Sequence, residues 1–583
     1  MSLTDLMRKV PGFKGGAGGG DKGPQAVDAW SDFTGTAPLF SLLDDSSARF
    51  SDKPCINFLG KSYSYAEISD LVNRAAQGFQ QIGVEKGTRV GLCLPNSPYF
   101  VICYYAILKA GGTVVNFNPL YVRREIEHQI EDSGTEIMVT LDLRQLYPKI
   151  AHALDATGLK KIVICQMSDI LPPVKGLLFS TLKRSELADI PENLRHIRYE
   201  MLVKTDGAPD PVHINIHEDV AVLQYTGGTT GVPKGAMLTH ANLMANTRQL
   251  QKLVTAIEGE ERILAVLPFF HVFAMTAIMN YGISMGAELI LLPRFELEQV
   301  LKTIDARKPT IFHAVPTIYT AINGHEDLAK YDLTGLKFCI SGGAPLPPEV
   351  KRQFEERTGC FLCEGYGLSE ASPVVACNPL DGTAKNGSIG RLLPATEVKF
   401  LSLSEPHDAV NQGEKGEVCI RGPQVMAGYW GRPEETAKVL RDGYLHTGDV
   451  GYRDEDGFLF LVDRVKDLII CSGYNVYPRV IEEAIHLHPA VAEVTVVGIP
   501  DDYRGETPKA FVKLNAGASL TESELAQFLE DKLSPIERPE FIEFRDELPK
   551  TMIGKLSKKE LVAEEQEKRQ NGGNSDSQET SNG

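Results

Sequence analysis

The chain has 583 residues, 43% of them hydrophobic and 23% charged. That length exceeds what one hydrophobic core supports and predicts a globular protein of two or more domains. Its 60 Lys and Arg against 77 Asp and Glu leave a formal charge of −17 with no basic tract. This argues against nucleic-acid binding and leaves the capture of any anionic ligand to local lysines and arginines.

Residues 1–15 lack the apolar core of a secretory signal. Leu3, Leu6, Met7 and Val10 fall at helical spacing beside Arg8, Lys9 and Lys14. They read as a frayed terminus, with a short membrane-surface helix as the alternative. Residues 15–20 are nearly all glycine and predict a flexible linker. From Pro38 onward helical and strand-like patterns alternate. Helices are expected over 66–82, 100–110 and 122–133, and strands over 89–94, 113–116, 136–140 and 161–165. Such alternation predicts a layered α/β domain with largely parallel sheets. The stretch 171–184 (LPPVKGLLFSTLKR) is apolar with three basic residues. It reads as a helix on a domain edge, with membrane-surface contact as the alternative.

The ten cysteines are scattered through apolar runs such as those around Cys93, Cys103, Cys165 and Cys339. They predict thiols packed as small hydrophobes in a reducing, cytoplasmic setting. Cys360-Phe-Leu-Cys363 is a lone pair without the second pair that a metal site needs. The apolar tract 274–293 is broken by Asn280, two glycines and Glu288, and reads as buried helix plus strand instead of a membrane span.

The chemistry-bearing stretch is Tyr225–Gly235, reading YTGGTTGVPKG. A buried strand over 220–224 precedes it, and a helix N-capped by Thr239 is expected after it. Gly227, Gly228 and Gly231 let backbone N–H groups approach an anion. Thr226, Thr229 and Thr230 add hydroxyls, and Lys234 adds a full charge, which together suit a polyphosphate. The spacing is neither a Walker A loop nor a dinucleotide fingerprint.

Further on, Lys337–Pro345 predicts a strand entering a glycine turn, and Cys360–Cys363 a strand entering Glu364-Gly-Tyr-Gly-Leu-Ser-Glu370. Glycine loops at strand C-termini form a crevice where α/β folds bind ligands. His271 lies in Pro268-Phe-Phe-His, where a histidine among aromatics is ordinarily core. Asp449 ends Asp442-Gly-Tyr-Leu-His-Thr-Gly-Asp, and Asp463-Arg-Val-Lys-Asp467 reads as a domain boundary. A compact α+β region follows, with a helix over 478–486, a strand over 494–499 and a capping box at Thr521-Glu-Ser-Glu524. Pro549-Lys-Thr-Met-Ile-Gly-Lys555 lies near the end, and the tail from 566, rich in Asn, Ser, Gln and Gly, predicts disorder.

These motifs, in this order over roughly residues 38–562, resemble the adenylate-forming enzymes, and among them bacterial long-chain fatty-acid–CoA ligases. The resemblance implies a large layered α/β domain of the adenylate-forming fold (38–463), a hinge (464–466), and a small mobile α+β domain (467–565). Outside these lie an N-terminal extension (1–37) and a tail (566–583). It implies ATP and Mg²⁺ as cofactors, with coenzyme A and a fatty acid as substrates. Residues 226–231 and Lys234 would hold phosphates, although Gly227 stands where many members carry serine.

By the same resemblance Gly342, Gly343, Ala344, Glu364, Gly365, Tyr366, Gly367 and Ser369 would line the adenine and acyl pockets, with Tyr366 on the adenine face. Asp449 and Arg464 would hold the ribose. Glu370 with Thr226 would hold Mg²⁺. His271 would line the acyl site, with Met275 where some relatives place a tryptophan gate. Lys466 falls at the hinge position, and Lys555 is the implied catalytic lysine. An aryl- or medium-chain acid ligase with the same machinery, or a non-catalytic lipid-binding protein, is the alternative. Peripheral contact with the inner face of the cell membrane and homodimerisation stay open at this stage.

Overall fold

The computed structural model describes residues 25–226, 233–254, 256–472, 474–501, 503–550 and 556–579. Two large sheets form the body. A nine-stranded sheet runs in parallel from Pro54–Phe58 through Glu288–Leu291, Arg262–Ala265, Ile311–Ala314 and Phe338–Ser341 to Phe361–Gly367, with antiparallel strands at both edges. A seven-stranded sheet is parallel except at one edge, where Val220–Thr226 pairs antiparallel with Lys234–Thr239. The expected parallel α/β domain is therefore present. Its strands read as continuous apolar runs because both faces are covered by helices.

Helix Tyr65–Gln81 starts in a capping box between Ser64 and Glu67 and buries Ile68, Val72, Ala76 and Phe79 on one face. Helix Pro98–Lys109 is buried on every side up to Leu108, which matches its unbroken apolar sequence. All ten cysteines are free and buried, as expected of thiols used for packing. The tract 274–293 divides into a π-helix over Met275–Asn280, a short helix and the strand Glu288–Leu291. Among the described residues no helix is long and apolar enough to cross a membrane.

Local chemistry explains three departures from expectation. The loop after Val220–Thr226 returns as a β-strand before any helix begins, with Tyr225 opposite Gly235 and Thr226 opposite Lys234. Ala236-Met-Leu, half of that strand, is a short apolar run too brief to separate from helix by periodicity. Gly365-Tyr-Gly367 is strand, paired with Val374–Cys377, where a glycine turn was expected. A Cβ on Gly367 would lie 2.3 Å from the Pro373 carbonyl oxygen, so the glycine serves close pairing. Helix Lys558–Glu579 runs into the stretch expected to be disordered. Its first turns are rich in Glu, Lys and Gln, and Lys568 pairs with Glu565 one turn back. Part of the N-terminal extension is also structured: helix Gln25–Thr34 lies against helix His240–Leu253, and Arg421 sits 5.4 Å above the Trp30 ring.

A five-stranded antiparallel sheet carries Gly416–Arg421, Tyr444–Arg453 and Leu459–Arg464. Beyond a short turn at Val465–Asp467 comes the small domain, with its own five-stranded sheet and a separate core around Ile469, Ile481, Val496, Val512 and Leu525.

Thr239 caps helix His240–Leu253 by accepting from Asn242 N–H, while Asn242 reaches back to Thr239 N–H and also donates to Pro423 O. Thr239→Ala should lower unfolding stability by about 1 kcal/mol in chemical denaturation. No change would show that the cap is replaced by water.

Candidate active site

The C-terminal ends of both parallel sheets, the antiparallel sheet and the small domain enclose a continuous cleft and tunnel of about 2340 Å³. Loops at strand C-termini are where an α/β sheet leaves its backbone free for ligands. Asn116 and Gln224–Thr226 line the cleft from one sheet. Val315, Gly342–Ala344 and Glu364–Gly367 line it from the other.

His271 is held by its neighbours on either side of this junction. Asn96 donates to Leu267 O at 2.8 Å and accepts from Phe269 N–H at 2.8 Å. Gln224 Nε2 donates to Phe270 O at 3.0 Å. The loop is therefore fixed to the strand that leads to Thr226. His271 itself lines the cleft, and its Nδ1 accepts from Phe273 N–H at 3.3 Å. Beyond it Phe273, Ala277 and Tyr281 recur every four residues and line one wall of an apolar tunnel, with Leu250 and Val254 opposite from another helix. A Cβ on Gly342 would meet the Phe273 ring at 3.0 Å, so glycine sets the width of the tunnel mouth. Met275 is fully buried outside the tunnel lining, and its sulfur accepts from Asn116 Nδ2 at 3.3 Å. The residue at the gate position therefore packs between the sheets.

At the polar end, Thr226 and Lys234 face each other across the hairpin. Lys234 pairs with Glu435 and sits 5.3 Å from the Tyr429 ring centroid. Tyr429 in turn donates its hydroxyl to Glu370 at 2.7 Å. Ser369 and Glu370 lie in a short turn just past Gly367 and line the same cleft. One Glu370 oxygen is thus engaged, and the rest of the donor set is a carboxylate oxygen and the Thr226 hydroxyl. That hard, incomplete set fits a Mg²⁺ ion whose other ligands are phosphate oxygens and water, not a closed protein cage.

Asp449 is 5% exposed and lies in the strand Tyr444–Arg453 just after Gly448, whose φ of +71° only glycine adopts readily. Tyr366 donates its hydroxyl to Asp449, so this ring, expected on the adenine face, also anchors the carboxylate. Arg464 Nε approaches the other Asp449 oxygen at 3.1 Å, and this carboxylate raises the Arg464 pKa. Glu417 braces the turn by accepting from Gly448 N–H at 3.2 Å.

The small domain closes the cleft. Arg479 approaches Glu364 at 4.0 Å across the domain boundary, and its backbone N–H donates to Asp463 at 2.8 Å. Lys558 pairs with Glu482 at 3.1 Å; burial pulls its pKa down, but Glu482, Asp463 and Asp467 outweigh that and hold it above the usual value. Burial pushes the Lys466 pKa down. Gly227, Gly228, Thr229, Thr230, Gly231 and Lys555 lie outside the described residues. Their chain neighbours Thr226, Lys234, Leu556 and Lys558 all line the cleft.

Motif reading missed Tyr429, Glu435, Arg479, Glu417 and Lys558. Lys558 is three residues past Lys555, so proximity to a motif was the one signal available. Arg479 offered none, because its role depends on domain docking.

Burial raises the Glu364 pKa to about 7, with Arg479 opposing the shift. The folded state therefore holds a proton that the unfolded state loses near the ordinary value of 4.5, and stability falls as pH rises from there to about 7. Glu364→Gln should flatten that slope in thermal melts. Arg479→Gln should extend it to higher pH, and an unchanged profile in both variants would remove Glu364 as its source.

The AMP-binding enzyme model matches residues 43–430, and the model of the AMP-binding enzyme C-terminal domain matches residues 480–555. A long-chain-fatty-acid–CoA ligase of Bacillus subtilis is 46% identical over 538 residues, covering 91% of this chain and 95% of that protein. A long-chain-fatty-acid–CoA ligase of Escherichia coli O157:H7 is 37% identical, covering 90% and 94%. Among solved structures, ATP-bound MatB from Rhodopseudomonas palustris is 28% identical with a TM-score of 0.79, covering 91% of this chain and 98% of its own. A large domain whose strand ends open on a polar cleft, a small domain across its mouth and family models matching both place the conclusion beyond the motifs: the chain belongs to the AMP-binding, adenylate-forming enzymes.

Proposed function

We propose that this protein is a long-chain fatty acid–CoA ligase. The observation that carries the reading is the continuity of one cavity, polar at Lys234, Glu370 and Asp449 and apolar along Phe273, Ala277 and Tyr281. A fatty acid can lie there with its carboxylate at the phosphates and its chain out of water. The Bacillus subtilis and Escherichia coli relatives are named as ligases of such acids, which supports the same assignment here.

In the first half-reaction a carboxylate oxygen attacks the α-phosphorus of ATP, and the bond to the β-phosphate oxygen breaks to release pyrophosphate. Both reactants are anions, so rate comes from positioning and from neutralising charge. Lys555 bridges the carboxylate and the α-phosphate. Thr226, Lys234 and residues 227–231 hold the departing phosphates, for which Lys234 exchanges its Glu435 partner. Asp449 and Arg464 hold the ribose, with Gly342–Ala344 and Gly365–Gly367 around the base. His271 sets the acyl carboxylate at the tunnel mouth. Mg²⁺ between Glu370, Thr226 and the phosphates would supply positive charge to their oxygens.

In the second half-reaction the small domain turns about Lys466 and withdraws Lys555. The CoA sulfur attacks the acyl carbonyl carbon, the bond to AMP breaks, and the thiol proton passes to solvent. One hinge thus serves both steps as a gate.

Helix Pro173–Leu182 is the proposed membrane contact. Val174, Leu177 and Leu182 are 72%, 67% and 76% exposed, beside Lys175, Lys183 and Arg184, while Phe179 packs on the core. An apolar face with a basic fringe suits an anionic bilayer surface, despite the acidic chain as a whole.

CoA-dependent AMP release should rise with saturated-acid length towards long chains; release confined to short or aryl acids, or absent with every acid, would overturn the assignment. Lys555→Ala should slow adenylation by at least about 10²-fold and largely spare thioesterification of supplied acyl-adenylate. Equal loss of both steps in single-turnover assays would refute its role. Changing Val174, Leu177 and Leu182 to serine should abolish flotation with anionic vesicles, and undiminished flotation would sink the membrane contact.

A further inference from the structure

Away from the motif residues, one group of side chains converges on a single point. Glu417 and Cys419 lie two apart on the strand Gly416–Arg421, and Cys419 is the cross-strand partner of His446 on Tyr444–Arg453. Alternate residues of a strand share a face, and cross-strand partners meet on it. His446 Nδ1 is 2.9 Å from a Glu417 oxygen and 3.4 Å from Cys419 Sγ, and all three atoms lie within 4.8 Å of one another. Among the described residues this is the one group of three histidine, cysteine and carboxylate side chains so arranged. Between Glu417 and Cys419 the pairing slips from Val450 to His446, and the residues passed over include Gly448 and Asp449.

The contacts at His446 Nδ1 conflict with one another. Arg441 also reaches this nitrogen, at 2.8 Å. One imidazole nitrogen carries either a proton or a lone pair. With the proton it serves Glu417 and turns an N–H towards the Arg441 N–H. With the lone pair it serves Arg441 and turns that pair towards the Glu417 oxygen. A metal cation on the lone pair removes the conflict, because imidazole, carboxylate and thiolate all bind it, while the half-exposed Arg441 can turn to solvent.

Zinc bonds of about 2.0 Å to nitrogen and oxygen and about 2.3 Å to sulfur put neighbouring ligand atoms roughly 3.3–3.5 Å apart at the tetrahedral angle. The distances from His446 Nδ1 are within a few tenths of an ångström of that. A thiolate beside an imidazole selects zinc-class ions over Mg²⁺, which takes oxygen ligands. Glu417, Arg441 and His446 line the cleft, which gives an ion its path and a water its place as fourth ligand. Cys419 is buried, and an ion that replaces the proton between Nδ1 and its partners needs no open space beside the sulfur. Burial pushes the Cys419 thiol pKa up to about 12, so the thiol is protonated and gives its proton to solvent as the metal–sulfur bond forms.

We infer that Glu417, Cys419 and His446 form a binding site for one zinc-class divalent cation, apart from the Mg²⁺ position and at the base of the turn that presents Asp449. The site does not depend on which acid the enzyme activates.

Calorimetric titration of the full-length, untagged, metal-free protein with Zn²⁺ should show one saturable site that persists in excess Mg²⁺. Co²⁺ should give a thiolate-to-cobalt charge-transfer band, and Cys419→Ser should remove it. His446→Gln and Glu417→Gln should each weaken Zn²⁺ binding by at least about tenfold. Arg441→Gln, which removes the competing cation, should tighten it by about threefold, a gain that misfolding does not imitate. Should Cys419→Ser fail to fold, the other three variants still decide. No saturable Zn²⁺ binding, displacement by excess Mg²⁺, or an affinity unchanged in both His446→Gln and Glu417→Gln would overturn the site and leave the ligase reading standing.

Discussion

The architecture of the cleft depends on one buried carboxylate. Asp449 takes a hydrogen bond from Tyr366 and an ion pair from Arg464. Those partners come from the last parallel strand of the nine-stranded sheet and from the final strand before the small domain. A buried charge without partners is strongly destabilising, so this contact constrains all three elements at once. It joins the sheet that ends at the cleft, the antiparallel sheet that forms its side, and the segment that leads into the small domain. Gly448 and Glu417 hold the backbone that presents it.

The same economy of charge runs through the rest of the cleft. In a chain with an excess of acid, three of the cations lining it have a carboxylate at hand: Lys234 has Glu435, Arg479 has Glu364, and Lys558 has Glu482. These partners keep the cations solvated and placed in the absence of ligand, and a phosphate can replace them with little rearrangement. Arg479 also crosses the domain boundary, to Glu364 by its side chain and to Asp463 by its backbone N–H. The docking of the small domain and the placement of charge in the cleft therefore share the same residues.

Much of this was legible in the sequence because its signals are local. The apolar runs that became parallel strands, the capping box at Thr521, and the glycine-spaced motifs each depend on neighbours a few residues away. The motif residues Thr226, Lys234, His271, Gly342, Tyr366, Glu370, Asp449 and Arg464 all line one cavity. What escaped depends on partners far along the chain. Pairing of Lys234–Thr239 with Val220–Thr226 turned an expected loop-to-helix passage into a hairpin. Gly365–Gly367 became strand because Val374–Cys377 pairs with it. Tyr429 reaches Glu370 from 59 positions away and Arg479 reaches Glu364 across the domain boundary, and neither separation leaves a periodic trace. Met275 stands where some relatives place a tryptophan gate, so a gate here was expected to work differently or be absent, and its side chain packs against Asn116 outside the tunnel lining.

The central claim is that acid activation precedes and is separable from thioester formation, both within this one cleft. Acid-dependent exchange of labelled pyrophosphate into ATP, measured with a long-chain fatty acid and no coenzyme A, tests it most directly. Exchange should be present without coenzyme A and should collapse when Asp449 is changed to asparagine. Coenzyme A-dependent AMP release with no exchange in its absence would contradict a free-standing adenylation step and, with it, the division of labour between the two domains.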